Sequence, residues 1–218
     1  ILFTPRFGDA PVDPAIARLT QQAAAQFAAL GHHVEEADRF DLPNAVNAAW
    51  PTLSATGLAW MMAQPWRVPE FGLAEGQAPD ARLCTPAIQA TLKTGQEAPA
   101  AAMFALMAAV HHTREQLAGL FARYDYILTP AAAALPWPGD DIYPPQIDGQ
   151  DAGPRGHAVF TGPANAPGLP AIALPCGMAE GLPVGLQLIG KPQADAALLA
   201  LAAQYEAAHP WTAHWPPL

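Results

Sequence analysis

Few side chains in this sequence could act as nucleophiles. Ser54 is the only serine, and it lies in an apolar segment predicted to be helical, where a hydroxyl group usually bonds back to a backbone carbonyl. Cys176 follows a predicted strand and precedes Gly177, but no neighbouring side chain in the sequence would lower the pKa of its thiol. Since a nucleophile also needs a general base and a stabilised oxyanion, the sequence shows no self-contained catalytic set.

The positions of the histidines and lysines do not predict a metal site or a catalytic lysine either. Adjacent histidines occur at 32–33 and at 111–112, and neighbouring side chains in a helix or strand point apart, so neither pair can chelate one ion alone. Lys93 and Lys191, the only lysines, have no sequence context that would desolvate their amines. The glycines within 181–190 fall in strand and turn, not before a helix, so no phosphate loop is predicted. We expect no metal and no cofactor.

Composition excludes several classes of protein. The 218 residues are 51% hydrophobic and 13% charged, with a net charge of −9 at pH 7. No run reaches the ~20 apolar residues of a membrane span, and the basic residues are scattered, whereas nucleic-acid binding needs a basic patch. We therefore expect neither a membrane nor a nucleic acid as partner. The two cysteines, Cys84 and Cys176, lie far apart in the sequence. We expect both to be reduced thiols, as is typical of a cytoplasmic protein.

The first half of the chain predicts a βαβ unit followed by helices. In residues 1–41, an apolar strand opens at Ile1, Asp13 and Pro14 begin a helix, and a second strand follows, which should be parallel to the first. A strand at the first residue leads us to expect a chain cut from a longer protein. Residues 42–123 form a helical region. There, Gly95 should end one helix, and the next should bury one apolar side. That side includes Phe104, Met107 and Leu117.

Residues 124–218 are predicted to supply strands, a long loop and a closing helix. The loop at 131–154 is long enough to be functional, and His157 beside it is expected to be solvated. Two apolar runs, at 171–174 and 184–189, should pair as a hairpin, and Asp195 should cap the last helix. The fold class is therefore α/β, with a mixed β-sheet flanked by helices, in a single domain over residues 1–218.

Several segments also match recognisable motifs. Phe160–Ala171 is similar to an F-T-x-P-x-N-x-x-G-x-P-A stretch, Gly181–Gly190 to G-L-P-V-G-L-Q-L-I-G, and Tyr124–Pro130 to Y-D-x-L-L-T-P. Asp195–Leu199 is similar to a closing D-x-x-L-L helix. In this order the motifs resemble the amidase-signature family. The opening segments Pro11–Pro14 and Gly31–Glu35 are similar to the family's segment after its signature region. The resemblance thus spans nearly all of the chain, and its most specific part is the second motif.

The resemblance implies an enzyme that hydrolyses amide C–N bonds with a serine nucleophile, a second serine in a cis peptide and a lysine. In the family these residues precede the region that this chain matches, and one serine cannot supply two. We therefore carry over no catalytic residue and expect the C-terminal part of the amidase-signature fold. The missing N-terminal half of the same protein would be its partner and would hold the chemistry.

The resemblance also implies that the stretch around Phe160, Thr161 and Asn165 approaches the substrate. These three are our predicted substrate-binding residues, and a small-molecule amide, apolar or aryl, is the predicted substrate. Ala158 stands where the glutamine-using transamidation branch would carry an acid, which disfavours that branch.

Several alternatives stay open. They are a non-catalytic domain that binds a partner, an A-subunit-like segment of a glutamine amidotransferase, and an independent enzyme that uses Cys176 or an acidic pair. A homodimer that covers exposed surface is a further alternative.

Overall fold

The computed structural model describes residues 1–77 and 79–215. The sequence ends in a stretch at 211–218 that is rich in aromatic residues and proline. The last three residues of this stretch lie outside the described part. The backbone groups into two compact units, one made of residues 1–44 with those from 113 onward, the other of residues 45–112. The single domain expected over 1–218 stays a prediction, and the two units are described in turn.

The first unit is built on a five-stranded mixed sheet. Its strands are β1 (Leu2–Phe3), β2 (Glu35–Glu36), β3 (Tyr126–Pro130), β6 (Ala171–Ala179) and β7 (Leu182–Gly190), and a separate two-stranded hairpin in the long loop is made of β4 (Gln146–Ile147) and β5 (Gln150–Asp151). The order across the sheet is β2-β1-β3-β7-β6. β1 is parallel to β2 and β3, while β7 is antiparallel to β3 and β6. The parallel opening pair and the late hairpin are both confirmed.

Helices cover both faces of this sheet. α1 (Pro14–Ala29) and α6 (Asp195–Ala208) pack on the face that carries Leu128, in a core cluster that includes Phe27 and Tyr205. Ile127 faces the other way, because side chains alternate along a strand. On that side the core includes the end of α4 (Ala100–Phe121) and Phe160. The α/β class with a mixed sheet flanked by helices is confirmed.

The second unit is helical. It contains nearly all of α2 (Asn44–Ala63), all of α3 (Pro86–Glu97) and the first part of α4, joined by short 3₁₀ turns. Gly95 does not end α3 as predicted. It is buried inside the helix, where a Cβ atom would overlap the carbonyl oxygen of Ala55 in α2. The glycine therefore allows two helices to approach closely.

Two other expectations are wrong in detail. Phe104 and Met107 are 69% and 61% exposed, and Leu106 is buried instead, whereas Leu117 is buried as predicted. The buried side of α4 therefore differs from the predicted one in the part of the helix that lies in the second unit. Asp195 is the first residue of α6, and Ala194 occupies the N-cap without a side-chain bond. A carboxylate in the first turn still favours the helix through the backbone dipole. Within the described part of the chain, no helix is long and apolar enough to cross a membrane.

Candidate functional site

The carboxyl edge of β3 carries the candidate site. In open α/β sheets ligands bind beyond the carboxyl ends of the strands. β3 ends at Pro130, which pairs with Leu186 in the middle of β7, and the N–H of the next residue, Ala131, donates to the carbonyl oxygen of Gly185 at 2.9 Å. The chain then turns away from β7. A cleft of about 420 Å³ opens beside this turn, and we call it the carboxyl-edge cleft.

The carboxyl-edge cleft has an apolar lining. Its walls include Ile16 of α1, the loop residues Leu135, Pro136 and Trp137, and Pro183 and Val184 of β7. None of the described residues that line it carries a titratable side chain. The cleft can therefore hold an apolar group, while a nucleophile or a general base would have to come from elsewhere.

His157 lies behind the tryptophan of this cleft. Its ring contacts that of Trp137 with centroids 4.9 Å apart, and its carbonyl oxygen accepts a bond from the Ala133 N–H at 3.0 Å. Its Nδ1 atom is buried and has no hydrogen-bond partner among the described residues. Burial, with a smaller contribution from Arg155, lowers the pKa of His157 below its usual value. The ring is thus neutral at pH 7 and half-buried, not solvated as we expected.

The three predicted substrate-binding residues lie together on one short segment. Phe160 is completely buried and packs edge-to-face on Phe7, with ring centroids 4.7 Å apart. Thr161 is half-buried, and its hydroxyl donates to the carbonyl oxygen of Ala158 at 3.0 Å. Asn165, the last residue of α5 (Gly162–Asn165), is exposed. The aromatic ring therefore anchors the segment, and the amide side chain is the one open to a ligand.

Two residues that the sequence reasoning missed hold this segment on the sheet. The side-chain amide of Gln187 in β7 donates to the Phe160 carbonyl oxygen at 2.9 Å and to the Thr129 hydroxyl oxygen at 3.1 Å. Thr129 in turn donates to the Pro130 carbonyl oxygen at 2.7 Å. Gln187 and Thr129 are both buried. The sequence feature that could have indicated them is the single side-chain amide, Gln187, within an apolar strand. A buried amide has to form hydrogen bonds with nearby partners.

The candidate nucleophiles of this chain are poorly placed for chemistry. Burial raises the pKa of the Cys176 thiol to about 12, so the thiol is protonated at neutral pH and a weak nucleophile. Ser54 lies inside α2, in the second unit. Lys191 forms an ion pair with Asp125, with Nζ and Oδ1 2.8 Å apart. Among the residues the structure describes, no three metal-ligating side chains come together.

Comparison with known proteins gives a consistent set of relatives. A family model described as Amidase matches residues 3–199. A bacterial aryl acylamidase of the amidase signature family has a similar structure, with a TM-score of 0.80 and 25% identity over 100% of this chain and 46% of its own. The structure of 6-aminohexanoate cyclic dimer hydrolase has a TM-score of 0.76 and 25% identity, over 97% of this chain and 45% of its own.

Similarity at the sequence level covers shorter stretches. The A subunit of glutamyl-tRNA(Gln) amidotransferase from Thermodesulfovibrio yellowstonii is 45% identical over 94 residues, which are 42% of this chain and 18% of that protein. The A subunit from Symbiobacterium thermophilum is 41% identical over 86 residues, 39% of this chain and 17% of that protein. The chain thus spans less than half the length of these relatives and of the similar structures.

Proposed function

Because this chain belongs to the amidase family, and its fold is that of the amidase-signature enzymes, we propose that it is the C-terminal part of an enzyme that hydrolyses the C–N bonds of non-peptide amides. In this proposal the serine nucleophile and its partners come from a part of the protein outside this chain. The observation that supports it is the carboxyl-edge cleft, which offers an apolar wall without any titratable group. A cleft of this kind can hold the apolar part of a substrate, while the catalytic residues come from the part of the protein outside this chain.

The role of this chain is then to line the substrate pocket and to extend the sheet. Trp137 would pack against the apolar part of the amide. Thr161 and Asn165 would border its reacting end, on the segment that the buried ring of Phe160 holds in place. The name of the similar aryl acylamidase favours an aryl amide for this wall. β6 lies at the edge of the described sheet, where a strand from the other part of the protein could pair. Since Cys84 and Cys176 are both free thiols, we place the enzyme in the cytoplasm.

A glutamine-using A subunit is the second candidate function. The identity to the Thermodesulfovibrio yellowstonii subunit favours it. The ammonium group of bound glutamine would need a carboxylate partner, and Ala158 supplies none at the position where the family branch is expected to carry one. Amide hydrolysis without transfer is therefore the better-supported function. A non-catalytic partner-binding domain is the further alternative that the same assay addresses.

Activity measurements on two forms of the protein test the proposal. The release of aniline from acetanilide, and of ammonia from aliphatic amides, would be compared for this chain and for the chain extended upstream in its gene. We expect no turnover by the 218-residue chain and turnover by the longer one. In the longer one, Trp137→Ala should raise KM for acetanilide about tenfold, as expected for losing a large apolar contact, and change acetamide turnover little.

Trp60→Ala is the matched control, because Trp60 is 54% exposed in the second unit. Turnover by the short chain that is lost in Ser54→Ala or Cys176→Ala would overturn the proposal. Absence of activity in the longer protein, with binding of a macromolecular partner, would favour the non-catalytic alternative. Glutaminase activity of the longer protein would favour the A-subunit alternative.

A further inference from the structure

A second groove lies at the opposite end of β3 from the carboxyl-edge cleft. Lys191 follows the last residue of β7, and its partner Asp125 immediately precedes β3. This pair therefore marks the amino end of β3, whereas the carboxyl-edge cleft opens beyond Pro130. The groove has a volume of about 500 Å³, within the range of small-molecule sites. We call it the amino-edge groove.

The floor of the amino-edge groove is apolar and shaped by small residues. Leu117 and Phe121 of α4 line it and belong to the buried core. Ala118 of α4 and Ala122, the residue that follows the end of this helix, line it as well. Their short side chains leave space that a larger residue would fill. Leu169 forms part of the facing wall, so an apolar body can be enclosed from two sides.

Two cations border this apolar floor. The Arg114 Nε–H donates to the Pro167 carbonyl oxygen at 3.3 Å, which holds the guanidinium at the rim. Its terminal N–H groups have no acceptor among the described residues. Lys191 gives one N–H to Asp125 at 2.8 Å, and an ammonium group has two more to donate.

The charge of the groove contrasts with that of the whole chain. The chain carries a net charge of −9 with only ten basic residues, yet two of those ten line this groove, and no acid is among the described lining residues. Asp125 offsets part of the charge of Lys191, which leaves Arg114 as the main anion-binding group. A guanidinium presents paired donors that match the two oxygens of a carboxylate.

From this combination we propose that the amino-edge groove binds an amphipathic monocarboxylate, with an alkyl or aryl-alkyl body on Leu117 and Phe121 and its carboxylate on Arg114 and Lys191. The site is separate from the carboxyl-edge cleft and goes beyond the proposed amide hydrolysis. The apolar floor accommodates the apolar body of the ligand. The two cations at the rim favour a negatively charged head group and determine the orientation of the ligand.

Calorimetric titration of this chain with octanoate, and with octan-1-ol as its neutral match, tests the proposal. Octanoate should bind more tightly than octan-1-ol. Arg114→Gln should weaken octanoate binding about tenfold, as expected for the loss of a charge-assisted bond, and Lys191→Gln should weaken it less. Neither substitution should alter the binding of octan-1-ol. Lys93→Gln, which changes the other lysine in α3 of the second unit, is the matched control and should have no effect.

Two further variants separate this groove from other sites. Ala118→Leu adds volume at an exposed position of α4, and it should weaken both ligands while circular dichroism shows an unchanged fold. Trp137→Ala alters the carboxyl-edge cleft and should leave octanoate binding unchanged. Absence of octanoate binding at millimolar concentration, equal binding of the neutral match, or loss of binding in Trp137→Ala alone would each overturn the proposal. None of these results bears on amide hydrolysis, which is measured by turnover.

Discussion

At the scale of single residues, one buried amide connects the candidate site to the sheet. Gln187 satisfies the carbonyl oxygen of Phe160 and the hydroxyl of Thr129 at once. Removing one partner of a buried hydrogen bond costs more than the bond itself contributes, because the remaining group loses its contact with water and gains no replacement. The position of the Phe160 segment thus depends on a side chain in the middle of β7.

We therefore expect Gln187→Leu to lower the free energy of unfolding by about 1–3 kcal/mol, measured by urea denaturation. Thr129→Val should cost less, and the double variant should cost less than the sum of the two, because the residues share one network. Gln96→Leu is the matched control, since Gln96 is exposed in α3, and it should change stability by no more than about 0.5 kcal/mol. Equal effects at 187 and 96 would show that the network does not stabilise the fold.

At the scale of elements, β6 and α1 meet at a glycine. The register of β6 against β7 shifts between Pro175 and Gly177, which is a β-bulge. Gly177 has a φ of 155°, and a Cβ atom there would lie 2.5 Å from Cδ2 of Leu19 in α1. A glycine is therefore present at position 177 because strand and helix approach closely there.

Gly177→Ala should lower the free energy of unfolding by about 1–3 kcal/mol, the usual cost of forcing extra atoms into a packed site. In a Leu19→Ala background this cost should fall by about 1 kcal/mol, because residues in contact are energetically coupled. Gly181→Ala provides the comparison. Gly181 has a φ of 78° in the turn after β6, and a Cβ atom there would meet nothing within 4 Å. The loss of unfolding free energy in Gly181→Ala should therefore be the same whether position 19 holds leucine or alanine. Denaturant unfolding would be measured for Leu19→Ala, for the two glycine variants and for the two double variants. The packing explanation would be contradicted if Leu19→Ala reduced the cost of both glycine substitutions equally.

At the scale of the whole molecule, the sequence predicted what depends on local periodicity. The βαβ opening, the late hairpin and the closing helix follow from apolar spacing and turn residues, and all three are present. The burial of Phe104 and Met107 in α4 and the place of Gly95 were predicted wrongly, because neighbouring helices decide which residues are covered. Phe160, Thr161 and Asn165 stay predictions as substrate contacts. Their grouping was predicted, but the link through Gln187 was not, since it joins residues that are distant in sequence.

The division of the chain into two units has a consequence for cooperativity. The two large core clusters, with members such as Phe160 and Leu128, contain only residues of the first unit. Buried residues of the second unit include Ala55 and Leu106. Separate cores allow separate opening, because cooperative units of a protein often coincide with regions that have their own packing.

Gly95→Ala tests this separation, because a Cβ atom at 95 would overlap the Ala55 carbonyl oxygen and force α3 away from α2. In native-state hydrogen exchange, the amides of α3 should lose protection by about tenfold or more, whereas those of β3 and β7 should keep theirs. Gly57→Ala is the matched control, since a Cβ atom there meets nothing within 4 Å in α2, and it should stabilise that helix by about 0.5–1 kcal/mol. An equal loss of protection in the sheet would mean that both units unfold together, as the single domain predicted over residues 1–218 requires.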